Sequence, residues 1–180
     1  MSTDRRILKS QEAIKFALIE MLREKSLEKI TMKDIAERAN IGRRTIYLHY
    51  MDKFDLLEKL IEEHMNELRS ICIEGADQSF EEGNILWFEY FKKNYQFFTA
   101  LLANKGGSLF RVQFLNLVID ELRGEVNTTS GKNQGLSEEV VLNFFGAAIV
   151  GIVEWWFANE MPYSPEEAAK QVGILLDRNL

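Results

Sequence analysis

The chain has 180 residues, a formal net charge of -6, two prolines and one cysteine, with 46% of its residues hydrophobic and 28% charged. These values suit a water-soluble globular protein, either one large domain or a small domain joined to a medium one. A lone Cys72 excludes an internal disulfide, and scarce proline favours long helices. Residues 4–25 carry charges throughout and hold no apolar signal core, and the longest uncharged apolar run, Val140 to Val153, is short for a bilayer. The expected location is therefore cytoplasmic, with no membrane partner. Without a secretory signal, the sequon at Asn127 carries no reading.

Charge is unevenly divided. Residues 1–53 sum to +4 and residues 54–180 to -10. A basic head on an acidic body is one pattern of a nucleic-acid-binding segment joined to a body with another task; a solvated charged face gives the same pattern.

In chain order, Asp4 to Glu24 repeats apolar residues at helical spacing (Ile7, Ile14, Ala17, Leu18, Met21, Leu22). The pattern breaks over Lys25 to Lys29. Thr31 then caps a short helix with Asp34 three residues on, and Ile35, Ala36 and Ala39 form its apolar face. Asn40-Ile41-Gly42 reads as a tight turn, and Arg43 to Tyr50 as a third short helix. Helix, three-residue turn, helix is a helix-turn-helix. Asp52 caps a long helix, Phe54 to Ile73, and Gly75 to Ser79 is a loop. Phe80 to Lys93 is helical and aromatic. Asn94 caps a short helix, a loop covers "NKGGS", and Leu109 to Val126 is helical. Asn127 to Gly135 is a polar loop. Ser137 caps a helix reaching Asn159, and Ser164-Pro165-Glu166-Glu167 opens the last helix, which ends near Arg178. The expected fold is all-α with about nine helices: an N-terminal three-helix helix-turn-helix domain over residues 1–53, and a helical ligand-binding and dimerisation domain over residues 54–180.

In the third helix, Ile46 and Tyr50 lie four apart and face the core, whereas Arg43, Arg44, Tyr47 and Leu48 face elsewhere. A helix N-terminus rich in Arg and Thr, presented by a helix-turn-helix, fits the major groove, where arginine pairs with a guanine edge. Tyr47, His49 and Lys53 suit phosphate oxygens. The competing reading is a surface arginine pair beside core aromatics.

The stretch "TMKDIAERANIGRRTIYLHYMDKFDLLEKL" resembles the DNA-binding head of the TetR family of bacterial transcriptional regulators. The likeness rests on Ile35-Ala36, the Asn40-Ile41-Gly42 turn, Thr45, Tyr47, His49, Tyr50, Asp52-Lys53 and Leu56-Leu57. It implies phosphate contacts at Thr31, Tyr47, His49 and Lys53, and base approach by Arg43, Arg44 and Thr45, with Leu48 in the same DNA-facing set. The chain departs from the family pattern at Asn40 (usually Gly), Gly42 (usually a Ser or Thr cap) and Arg44 (usually small), so no relative's operator can be copied onto it. Arg5 and Arg6 read either as an arm reaching DNA or as a frayed solvated terminus.

The same resemblance implies that the body dimerises and senses a ligand. Independently of it, Leu136 to Asn159 is apolar around most of its circumference, so one stripe can face the core while a second needs another surface. With the last helix it supplies a candidate dimer interface: Phe144, Phe145, Ala148, Ile152, Trp155, Trp156, Ala168, Val172 and Leu175. A monomer with both stripes internal is the alternative. Trp87, Phe88, Phe91, Tyr95, Phe98, Phe110 and Phe114 are candidates for a pocket holding a small apolar or aromatic effector, against a reading as plain core. "FFGAAIVGIVEWWF" followed by "SPEEAA" also resembles the subgroup containing regulators and coactivators of dihydroxyacetone kinase operons.

Two histidines and one cysteine offer no metal-ligand spacing and no nucleophilic constellation, so neither catalysis nor a cofactor is expected. Lys105-Gly106-Gly107-Ser108 lacks the full spacing and preceding strand of a phosphate loop. The expectation is thus a regulator, a repressor in sign, that binds a palindromic duplex as a homodimer and is released by an effector. The alternative is a coactivator or sensor of the same fold that acts through another protein.

Overall fold

A computed structural model describes residues 2–74, 80–104 and 106–180. Among these it is all-helical: α1 Ser2–Glu24, α2 Met32–Arg38, α3 Arg43–Ile46, α4 Lys53–Glu74, α5 Phe80–Lys93, α6 Tyr95–Leu102, α7 Gly106–Leu122, α8 Glu138–Ala158 and α9 Pro165–Asp177. Short 3-10 turns lie at Leu27–Lys29 and Gly131–Asn133. The loop expected at Gly75 to Ser79, and Lys105 of the glycine-rich stretch, lie outside the described residues. Gly106 to Ser108 belong to the first turn of α7, which begins earlier than expected and stops at Leu122 rather than Val126.

The chain forms two compact units, Met1–His64 with Gln96–Phe110, and Met65–Tyr95 with Arg111–Leu180. In the first, Ile14, Leu18, Ile35, Ile46, Leu56 and Ile61 are fully buried. These are the helical-period positions of α1, α2, α3 and α4, so the apolar stripes read from the sequence close on one core. Phe97, Phe98 and Leu101 of α6 are buried in the same unit. The Asn104 side chain donates to the carbonyls of Leu22 at 2.9 Å and Ala100 at 2.8 Å, so it satisfies a C-terminal carbonyl of α1.

The second unit packs α5 along α9 and α7 along α8. Its core is an aromatic network: Phe91 meets Phe114 edge-on at 5.5 Å, Phe88 meets Trp156 edge-on at 5.1 Å, and Trp87 tilts onto Phe114 at 5.4 Å. Edge-to-face packing aligns ring edges with ring faces, which stabilises each pair beyond area burial alone. The two indoles are satisfied, Trp87 donating to the Leu68 carbonyl at 3.2 Å and Trp156 to the Tyr163 carbonyl at 3.0 Å. Gly146 lets α8 approach α7: a Cβ there would lie 2.9 Å from Leu115 Cδ1 and 3.1 Å from Ile119 Cγ1. The loop before α8 ties down the end of α9, with Asn133 donating to the Asn179 carbonyl at 2.7 Å and Lys132 to the Arg178 carbonyl.

The helix starts behave unequally. Ser164 and Glu167 form a reciprocal capping box with Pro165 in the first turn, as the sequence predicts. Ser137 stands at the cap of α8 but makes no side-chain cap bond, and the Asn94 side chain donates backward to the Tyr90 carbonyl instead of capping α6. On length and composition alone α8 could cross a membrane, a wider apolar span than the run Val140 to Val153. One stripe of it is packed in the unit's core, and Glu154 pairs with Arg111 of α7.

Candidate nucleic-acid interface

The helix-turn-helix is built from local hydrogen bonds. The Asp34 N–H donates to Thr31 Oγ1 at 3.1 Å, and the Thr31 N–H donates to Asp34 Oδ2 at 3.1 Å. The Thr31 N–H first, and then the Thr31 hydroxyl, hold the Asp34 carboxyl below its ordinary range. Thr31 Oγ1 accepts the Asp34 N–H while its hydroxyl hydrogen also serves the Asp34 carboxylate, so any phosphate would compete with Asp34 for it.

The turn is closed by a Schellman pattern. Ile41 N–H donates to the Ala36 carbonyl at 2.9 Å and Asn40 N–H to the Glu37 carbonyl at 3.1 Å. Asn40 adopts φ 52°, a left-handed conformation that only Gly and Asn visit readily. Asn40 therefore does the work of the glycine usual in the family pattern.

The third helix is shorter than the sequence predicts. It is helical only over Arg43–Ile46, and beyond that the Leu48 N–H donates to Thr45 and the His49 N–H to Ile46, the tighter i to i+3 register. Its cap, Gly42, supplies no side-chain acceptor, and Thr45, Ile46 and Tyr47 are weak helix formers, so little holds a longer α-helix. The expected facing survives the shortening. Ile46 and Tyr50 are buried, while Arg43, Arg44, Tyr47 and Leu48 are exposed. Burial, then the charges of Glu63 and Asp55, push the Tyr50 hydroxyl up to about 12, so it stays neutral. Thr45 and His49 are half-buried.

Behind this turn α4 is anchored. Asp52 Oδ1 accepts the N–H groups of Phe54 at 2.8 Å and Asp55 at 2.9 Å. Asp55 in turn accepts the Met51 N–H at 2.8 Å, the main reason its carboxyl is held low. Lys59 bridges Asp55 and the His49 carbonyl, with its ammonium 5.4 Å from the Tyr50 ring centroid. Lys53 has a task the sequence does not reveal: its ammonium donates to the carbonyls of Glu28 at 2.9 Å and Ile30 at 2.8 Å. That leaves one N–H of Lys53 for any phosphate.

The charges sort themselves. Arg38 forks onto Glu24, with both N···O distances at 2.9 Å, and also pairs with Glu20; Lys15 pairs with Glu63, Lys25 with Asp34 and Lys33 with Glu37. Among the described residues Arg43 and Arg44 have no acidic partner, and they stand exposed at the start of α3. Arg5, Arg6, Lys9, Arg23 and Lys29 are likewise exposed without an acidic partner among the described residues, so the head keeps several unpaired cations, of which Arg43 and Arg44 are the two on the turn that a duplex would meet. Arg5 and Arg6 are exposed on the first turns of α1, in helical rather than extended backbone.

The other candidates divide. Trp87, Phe88, Phe91 and Phe114 interlock in the core of the second unit, with Tyr95 stacked on Phe157 at 5.9 Å. Phe98 and Phe110 belong to the first unit and meet at 5.4 Å. Of the nine dimer candidates, Trp156, Ala168 and Val172 are buried in the protomer's own core, so their surface is already covered. Phe144 is 68% exposed, Trp155 47% and Leu175 51%; Ala148 is exposed, and Phe145 and Ile152 are half-buried. Among the described residues no cluster of three metal-ligating side chains occurs.

Residues 17–60 match the family profile described as bacterial regulatory proteins, tetR family. Residues 78–178, more than half of the chain, match a TetR profile described as transcriptional regulator C-terminal region. A 54-residue stretch is 45% identical to the uncharacterized HTH-type transcriptional regulator YxbF of Bacillus subtilis strain 168; it spans 30% of this chain and only 14% of that protein. Among solved structures, a TetR transcriptional regulator from Streptococcus agalactiae 2603V superposes with a TM-score of 0.73 at 28% identity, covering 98% of each chain. FadR from Bacillus subtilis, solved with stearoyl-CoA, gives 0.71 at 19% identity, covering 94% of this chain and 98% of its own. The dihydroxyacetone kinase operon activator DhaS gives 0.66 at 20% identity, covering 94% of each chain; these last two similarities speak for the fold. All are described as regulators and none as an enzyme. With a capped helix-turn-helix at one end and a regulator's C-terminal helices at the other, the chain belongs to the TetR family of bacterial transcriptional regulators.

Proposed function

We propose that this chain is a cytoplasmic repressor that binds a palindromic DNA operator as a homodimer and lets go when a small apolar or aromatic effector binds its body. The observation that carries the reading is the pair Arg43 and Arg44, exposed at the tip of α3 and without acidic partners among the described residues. Each guanidinium can donate a bidentate pair to a guanine edge. Thr31, Tyr47, His49 and the remaining N–H of Lys53 act as phosphate contacts, and Thr45 approaches the bases. In functional terms residues 1–53 read DNA and residues 54–180 sense and dimerise, with α4 as the lever between them.

The exposed stripe of α8 supports the dimer. Val140, Phe144, Ala148 and Trp155 are exposed on a helix whose opposite stripe is core, and Leu175 adds to it from α9. An apolar stripe of this kind suits the self-complementary contact of a two-fold dimer. An effector of the body would meet the rings of α5 and α7, which interlock as core, so its expected apolar or aromatic character follows from theirs. The C-terminal likeness to dihydroxyacetone kinase operon regulators suggests a neighbouring branch of the family, and DhaS shares the fold. The experiment is selection of bound duplexes from a random pool, followed by mass measurement of the complex. A palindromic consensus holding two chains supports the proposal; an unselected pool at low salt overturns it.

A further inference from the structure

Leu48 is 74% exposed, in the midst of the cationic turn, where a side chain meeting only phosphate would need a donor. The i to i+3 hydrogen bond from the Leu48 N–H to the Thr45 carbonyl, 3.1 Å, sets Leu48 directly over Thr45. The Tyr47 N–H bonds to the Arg43 carbonyl at 3.3 Å, which puts the Arg43 and Tyr47 side chains in a separate row. The turn thus presents a polar row beside a row of Thr45 and Leu48. Two nearby exposed apolar residues are otherwise placed: Met51 lies past the turn, its N–H held by Asp55, and the Phe54 ring lies 5.2 Å from the Lys53 ammonium. In the major groove one base substituent is apolar, the thymine 5-methyl.

We infer that Leu48 is a specificity-determining residue that reads a thymine methyl group in each half-site, next to the guanine read by the arginines. The inference rests on the operator-binding reading above. Its chemistry needs no hydrogen bond: the isobutyl group covers the methyl, and the two are removed from water together. Cytosine at that position presents an amine where thymine presents a carbonyl, and lacks the methyl, so the contact separates the two pyrimidines.

The test uses the full chain and its pool-selected duplex, with each thymine replaced in turn by deoxyuridine, which deletes only the methyl. Wild type is expected to lose about fourfold in affinity at one thymine per half-site, the factor carried by burying a single methyl-sized group. Leu48→Ala, a truncation at an exposed position, is expected to bind the thymine and uracil duplexes equally. If every replacement is neutral for wild type, or if Leu48→Ala keeps the full preference, the inference is overturned while operator binding stands. If no duplex is selected at all, operator binding and this inference fall together.

Discussion

Acid should destabilise this protein through one histidine. His64 lies on α4 with its ring stacked on Phe97 at 4.0 Å between centroids and tilted against Phe98 at 5.2 Å. Burial first, and then the positive charge of Lys15, lower its pKa from 6.5 to about 4. Above pH 6.5 the imidazole is neutral in both folded and unfolded chains and contributes no pH dependence. Between pH 6.5 and about 4 the unfolded chain takes up the proton and the folded chain does not, so stability falls as pH falls. At pH 5 the gap to the ordinary value is about 1.5 units, or about 2 kcal/mol of stability lost. Urea unfolding of wild type and His64→Leu at pH 7.5 and pH 5.0 isolates this contribution, because all other titrations are common to both. Wild type should lose about 2 kcal/mol more than the variant across that interval. Equal losses would refute the account of a neutral, half-buried imidazole packed against the phenyl rings.

Three further outcomes follow from particular positions. Asn40→Val should destabilise by about 1–2 kcal/mol in thermal unfolding, because a β-branched residue resists φ 52°, whereas Asn40→Gly should be neutral or mildly stabilising. Gly146→Ala should lower stability by about 1 kcal/mol, since overpacking against Leu115 and Ile119 outweighs the better helix propensity, while Gly83→Ala, with nothing within 4 Å, should raise it by a similar amount. If both glycine variants stabilise alike, the close α7–α8 approach is wrong. Phe144→Ala should weaken self-association roughly a hundredfold by analytical ultracentrifugation, since about 1.5 kcal/mol per phenyl counts twice across a two-fold axis; an unchanged dissociation constant would move the interface elsewhere.

Much of the fold was legible because its signals are local. Thr31 with Asp34, and Ser164 with Pro165 and Glu167, mark helix starts by side chains that reach only three residues, so spacing alone exposes them. Asn40 marks its turn for the same reason. The end of α3 was not legible, because Tyr47 to Tyr50 continue the helical spacing while the Leu48 and His49 N–H groups tighten to i+3 bonds. Ser137 shows the converse, a good cap residue whose side chain makes no cap bond.

Long-range pairing hides more of the candidate site. Nothing in the sequence joins Lys53 to the carbonyls of Glu28 and Ile30, so its phosphate role was readable and its structural one was not. Likewise α8 is apolar on nearly every side, and periodicity cannot tell its two stripes apart. Trp155 and Trp156 are neighbours in sequence, yet one is half exposed and the other fully buried.

The most direct test is the salt dependence of operator affinity, read by fluorescence anisotropy for wild type and for the Arg43→Ala, Arg44→Ala double variant. Wild type should weaken linearly in log-log form, with a slope of about -0.9 for each phosphate neutralised. The double variant should lose the preference for operator over random duplex and bind both with similar, weak affinity. A double variant that keeps the wild-type preference would contradict the claim that the unpaired arginines of α3 read DNA.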